Sequence, residues 1–223
     1  SSDVCSSDLA NLRRFVADLH YGRIDPAAAG HGLRTDRTRL DIDTAVHDLL
    51  ASHDVAHDLG ALEPTFVHYH LLKAQLARYR QLATDPALTA LPPLPPLPHG
   101  PVARRSLQAG DDWAGTPGMT RLLVALGDWP ADLPVPSGPT FTTAHAAALR
   151  HFQWRHLLEE DGRLGPATWR ALTTPLARRM RTMELTLERW RWVPPHLHEA
   201  PIVVNIPEFR LFAWETPEDD EDR

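Results

Sequence analysis

The chain has 223 residues, 43% hydrophobic and 23% charged, with a formal net charge of −6. That length gives room for one large domain or two small ones with a real core, and the composition is ordinary for a globular protein. The negative balance argues against nucleic acid as a partner, and a single cysteine, Cys5, excludes an intrachain disulfide and a multi-cysteine metal site.

Residues 1–9 (SSDVCSSDL around Cys5) form a small-polar near-repeat without an amphipathic pattern. They read as a non-native, adaptor-like leader with no join to the helix that follows. The first native-looking element is Asn11–His20, with Leu12, Phe15, Val16 and Leu19 at helical spacing. Gly22 and Asp25-Pro26 end it. Asp43 is placed to cap a helix carrying Val46, Leu49 and Leu50, and His53–Leu62 reads as a short helical turn. Pro64 then opens a helix whose stripe is Phe66, Tyr69, Leu72, Leu76 and Tyr79. Residues 10–90 therefore read as a small all-α assembly.

Leu91–Pro101 (LPPLPPLPHGP) is a polyproline-like connector. Lying between folded segments, it reads as a semi-rigid spacer rather than as a ligand for a partner domain. Residues 102–173 carry predicted helices at Met119–Leu126, Phe141–Leu158 and Gly165–Leu172, a proline-rich loop at Trp129–Pro139, and a tight turn at Asp161-Gly162. Thr174 and Pro175 then start a helix on which Leu176, Met180, Met183, Leu187 and Trp190 form a narrow seam. Pro194-Pro195 stops it, so this helical segment spans 174–195. Two β-type runs, Ile202–Ile206 and Phe209–Trp214, flank a turn at Pro207-Glu208. A lone hairpin is marginal in water, so residues 200–223 read as the start of a further β-rich domain, with Phe209–Trp214 an aggregation-prone edge. The acidic stretch Glu218–Asp222 reads as a solvated loop. The fold class expected is mainly α: a helical scaffold plus a three-helix module, ending in the first hairpin of a domain that continues elsewhere.

The segment ALRHFQWRHLLEEDGRLGPATWRAL (Ala148–Leu172) resembles the three-helix peptidoglycan-binding module of cell-wall enzymes. The matching features are Phe152-Gln153, Leu157/Leu158, Asp161-Gly162, Gly165 and Thr168. Phe152 would anchor the core, Asp161-Gly162 reverse the chain, and Gly165-Pro166 open the last helix. Leu157-Leu158 departs from the pattern, because the module usually carries a glycine before its leucine. Candidate peptidoglycan contacts are Trp154, Arg155, Arg163 and Trp169: aromatics stack on sugar faces, and arginines pair with stem-peptide carboxylates. The plainer roles are core packing for the tryptophans and solvation for the arginines.

LTLERWRWVPP followed by VVNIPEFRLFAWE resembles the entry into the catalytic domain of large, scaffold-type L,D-transpeptidases. DLHYGRIDP and the helix ending LARYRQLA are similar to their N-terminal scaffold, and the linker and wall-binding module follow in the family's order. The resemblance implies peptidoglycan as partner, a role in cross-linking, an envelope or periplasmic location, and a catalytic domain beyond this chain. It also allows for a membrane anchor ahead of residue 1. In that family a cysteine after a Ser-His-Gly run attacks the stem peptide, with a histidine as base. The run is absent here and Cys5 matches nothing in it, so no catalytic residue is assigned and the chain by itself is expected to be inert. No signal peptide, membrane span or cofactor motif is visible. His53 and His57, four apart with His68 and His70 nearby, are the remaining candidate chemistry, but without HExxH or a fixed third ligand no metal site is assigned. Two rival readings remain: a non-catalytic wall-binding adaptor, and a zinc-dependent hydrolase built on the same module.

Overall fold

The structure is a computed structural model that describes residues 2–30, 39–98, 106–193, 202–205 and 210–213. Among them the helices are α1 (Ser2–Tyr21), α2 (Ile42–Ala51), α3 (Val55–Ala61), α4 (Val67–Thr84), α5 (Pro86–Thr89), α6 (Thr116–Leu126), α7 (Thr143–Arg155), α8 (Pro166–Leu172) and α9 (Leu176–Trp190). The strands are β1 (Ile202–Asn205) and β2 (Arg210–Ala213), an antiparallel pair with Ile202 opposite Ala213 and Asn205 opposite Arg210. The chain is mainly helical, as its periodicity implied. The expected turn at Pro207-Glu208, and Phe209 and Trp214, lie outside the described residues. Within the expected apolar edge, Leu211 is exposed. No described helix is long and apolar enough to cross a membrane.

Two compact units are present: residues 1–77 with 181–223, and residues 78–180. The division falls inside α4 and inside α9.

In the first unit, Val16, Val46 and Leu49 form a buried cluster, with Leu9, Leu12, Leu40, Ile42, Leu59 and Leu62 packed around it. Several sequence expectations shift here. The first helix begins at Ser2, not Asn11, because neither proline nor glycine interrupts residues 2–21. The adaptor-like segment is therefore continuous with it, and Leu9 touches the core. Phe15, expected on the apolar face, is 49% exposed. Leu50 also points outward. The cap of α2 is Asp41, whose carboxylate accepts from the amides of Asp43 and Thr44. Asp43 instead forms an ion pair with Arg13 at 2.8 Å. The helix after Pro64 starts three residues later than expected, at Val67, with the Phe66 carbonyl accepting from the His70 amide.

The buried residue organising this unit is Glu188 on α9. Its Oε1 accepts from the amides of Arg23 and Ile24, and Arg191 lies 3.5 Å from its other oxygen. Gly22 ends α1 with φ +85°, and a Cβ there would come within 2.6 Å of Glu188 Oε1. Arg191 also donates to the Leu19 carbonyl at 3.1 Å and to the Tyr69 hydroxyl at 2.9 Å. Burial pushes the Tyr69 phenol up to about 12, so at neutral pH it stays protonated and donates to Glu63. DLHYGRIDP and LERWRW, far apart in sequence, are thus joined through these contacts.

In the second unit the core is Leu107, Met119, Leu123, Leu126, Phe141, Leu149, Phe152, Leu164 and Leu172. Thr142 caps α7 in a reciprocal arrangement with His145. Thr174 does not cap α9: its hydroxyl donates back to the Arg170 carbonyl, and the Pro175 carbonyl accepts the first helical bonds. Only Leu187 of the expected α9 seam is buried; Leu176, Met180, Met183 and Trp190 are half-buried.

The proline-rich segment is packed within this unit rather than standing free. The Trp169 indole N–H donates to the Pro95 carbonyl at 3.1 Å, and that of Trp113 approaches the Pro96 carbonyl at 3.4 Å.

Candidate peptidoglycan-binding face

The module is held together by Gln153, buried on the inner side of α7. Its Nε2 donates to Asp161 Oδ1 at 2.8 Å, the Arg163 carbonyl at 3.0 Å and Thr168 Oγ1 at 3.1 Å. Its Oε1 accepts from the Gly162 amide at 2.9 Å. Each polar end of one amide therefore fixes the turn between α7 and α8. Gly162 has φ +69°, and a Cβ there would come within 2.9 Å of the Ala146 carbonyl. Phe152, the preceding residue, is fully buried. The residues that carry the module's sequence signature are thus spent on one another.

The departure at Leu157 has a geometric explanation. Leu157 has φ +52°, the only described non-glycine residue with positive φ. After α7 the Leu158 amide donates to the Gln153 carbonyl at 2.9 Å and the Leu157 amide to the Trp154 carbonyl at 3.2 Å. This is the Schellman pairing, in which the left-handed position is usually glycine. The turn forms as the module requires, with leucine bearing the left-handed conformation. The end of α6 solves the same problem with Gly127 at φ +81°.

Immediately after Gly127, Asp128 turns inward. Its side chain is fully buried, accepts from Arg155 Nε at 2.8 Å and also from Arg155 Nη2, and lies 2.7 Å from His151 Nδ1. The hydrogen bonds and charge of Asp128 outweigh burial and raise the Arg155 guanidinium above its ordinary value. Trp154 follows on the same outer turn, 53% exposed, with its ring 6.0 Å from that of His151. His151 and Trp154 form an open aromatic pair whose backing is the Asp128–Arg155 pair.

Two further histidines are internal. Burial holds His145 below its ordinary value. Its Nε2 donates to Thr120 Oγ1 at 2.8 Å, since that hydroxyl donates to the Thr116 carbonyl, and its Nδ1 accepts from the Thr142 amide at 2.9 Å. Burial, aided by the nearby Arg179 charge, likewise lowers His156. His156 Nδ1 donates to the Phe152 carbonyl, and its Nε2 accepts from Arg179 at 2.6 Å. Each imidazole has one donor and one acceptor role, which only the neutral ring can fill.

Of the four residues singled out from sequence, Trp154 and Arg155 stand together beside His151. Arg163 has other company: its Nη2 donates to Gln108 Oε1 at 2.6 Å. Trp169 is half-buried and donates to the proline segment. His151 was not anticipated; its step of three from Trp154 along a helix was the signal for it. His53 lies before α3 and His57 within it, both exposed, and no group of metal-ligating residues sufficient for an ion occurs among the described residues.

Comparison with protein-family models gives two regions. Residues 10–76 match the Scaffold domain. Residues 121–172 match a peptidoglycan binding domain. No curated protein matches the chain. The second match covers the second half of α6, all of α7 and α8, and the whole Gln153 network. A cell-wall binding role with peptidoglycan as partner is supported by that match, and the two matched regions together are consistent with a scaffold-type cell-wall protein.

Proposed function

We propose that this chain is the N-terminal, substrate-positioning part of an L,D-transpeptidase that cross-links peptidoglycan in the cell envelope. The observation that carries the reading is the order of parts: a Scaffold match at 10–76, a peptidoglycan-binding match at 121–172, and then α9 returning to the scaffold unit through Glu188 and Arg191. A β-hairpin follows that helix. The reaction itself would belong to a cysteine on a domain beyond these residues, and the present chain would bind the wall without transferring anything.

Within the module, Trp154 and His151 are the contacts we assign to the glycan, because they offer exposed ring faces on a rigid helix. Arg163, on the surface, is the candidate partner for a stem-peptide carboxylate. Arg155 is a positioning residue, since its guanidinium is committed to Asp128. Two measurements test the proposal. The purified chain should co-sediment with intact sacculi, and failure to do so removes the binding role. The gene beyond Arg223 should encode a Ser-His-Gly-Cys segment within a β-rich region; a stop codon there favours a non-catalytic adaptor instead.

A further inference from the structure

The strap Leu91–Pro98 is built as a ligand is built. Proline at 92, 93, 95, 96 and 98 fixes φ, and every residue preceding a proline is pushed to extended backbone. The product is a polyproline II helix with about three residues per turn, rising ~19 Å between Leu91 and Leu97. Its leucines recur every third residue and so share one face. Leu91, Leu94 and Leu97 are half-buried, whereas Pro92, Pro93, Pro96 and Pro98 are exposed.

The surface beneath is shaped for that face. Two indoles, Trp113 and Trp169, direct their N–H groups at consecutive proline carbonyls, Pro96 and Pro95. Leu94 Cδ2 would lie only 3.0 Å from a Cβ at Gly118, so glycine there makes room for the strap. A Cβ at Gly115 would come within 2.3 Å of the Trp113 ring, so glycine there lets that ring occupy its place. Aromatic side chains with N–H donors, closely approached backbone and apolar notches at a three-residue period are the means by which proteins recognise polyproline helices.

We propose that Trp113, Gly115, Gly118 and Trp169 form a recognition groove for proline-rich peptides of the Leu-Pro-Pro repeat type, and that residues 91–98 are its resident ligand. The groove binds the same pattern in trans whenever the strap is out. In the intact chain the strap is present at an effective concentration on the order of millimolar. A peptide with an intrinsic Kd of ~100 μM would therefore be weakened about tenfold in its presence. The inference does not depend on peptidoglycan binding.

The test uses the full chain with residues 91–98 replaced by glycine and serine at equal length, titrated with a fluorescent LPPLPPLP peptide and followed by anisotropy. The strap-replaced chain should bind at least about tenfold more tightly than the intact chain. Trp169→Phe in that background should weaken binding about fivefold or more, and an SPPSPPSP peptide should not bind. A strap-replaced chain that melts cooperatively yet takes up no peptide at millimolar concentration overturns the proposal. Should that chain lose its cooperative melt, Leu94→Ser in the otherwise intact chain decides. A half-buried leucine is then removed, the strap loosens, and peptide binding must rise above that of the intact chain; no rise overturns the groove.

Discussion

Leu157 offers a test with an unusual sign. Exchanging alanine for glycine in a helix interior costs about 1 kcal/mol, because glycine loses more backbone freedom on folding. At position 157 the same exchange should stabilise. The residue sits at φ +52° in the Schellman turn after α7, where a side chain costs about 1–2 kcal/mol and glycine almost nothing. Against that gain stands glycine's extra unfolded-state freedom, about 0.4–1 kcal/mol. Leu157→Gly should therefore exceed Leu157→Ala by about 0.5–1 kcal/mol. Comparing the two variants removes the leucine's own contacts, which are limited by its 57% exposure. In a unit of this size the difference corresponds to about 2–8 °C in Tm. Ala147→Gly, inside α7, is the control and should lower stability by about 1 kcal/mol. Thermal and urea melts of the full chain read both. If glycine at 157 is as costly as glycine at 147, the left-handed turn carries no strain and the reasoning fails.

Three further outcomes follow from the same contacts. Gly22→Ala combines a left-handed φ with a 2.6 Å approach to Glu188 Oε1, and should cost the scaffold unit about 2 kcal/mol or more; hydrogen exchange at the Arg23 and Ile24 amides should rise, and an unchanged rate counts against Glu188 as their acceptor. His145 and His156 are both held below the ordinary histidine value, so the unfolded chain binds more protons than the folded one in mildly acidic solution. Stability is then full above pH ~6.5 and falls as pH drops toward the folded values, with a slope of at most about 1.4 kcal/mol per pH unit for each ring; melts between pH 7.5 and 5.5 check this, and a flat profile refutes it. Trp154→Ala should weaken sacculus co-sedimentation about tenfold, near 1.4 kcal/mol, while leaving the melt of the scaffold unit unmoved.

What the sequence made legible was local. Helical periodicity located α2, α4, α6, α7 and α8 to within a few residues, and the Phe152-Gln153, Asp161-Gly162 and Thr168 pattern located the module. The choice among neighbouring aspartates was not legible: Asp41 and Asp43 are equally good caps on paper, and Arg13 draws Asp43 away. Phe15 followed the helical period yet lies outside, because the period spans a wider arc than the cluster at Val16 covers. Long-range partners were invisible for the same reason. Nothing near Glu188 in sequence shows that its carboxylate meets amides 164 and 165 residues away. By sequence the strap reads as a spacer because proline fixes backbone shape, while the tryptophans that receive it are 17 and 74 residues off.

Trp154 and Gln153 are adjacent, yet they point to opposite duties. Gln153 satisfies four polar groups inside the module, so removing it takes their partner from the Gly162 amide, the Arg163 carbonyl and the buried Thr168 hydroxyl, while Asp161 Oδ1 keeps the Arg163 amide. Each stranded group costs about 1–3 kcal/mol, less where water reaches it, so Gln153→Ala should cost about 3 kcal/mol or more. Binding should respond differently. Where the variant is still folded, at low temperature, its sacculus affinity should stay within about twofold of the parent, since the exposed faces of Trp154 and His151 are unaltered. Trp154→Ala should show the reverse: near-parent stability of the turn and lost affinity. If Gln153→Ala loses affinity while its circular dichroism and melt remain parental, the buried amide contacts the wall directly. The separation of fold-specifying residues from binding residues would then be wrong.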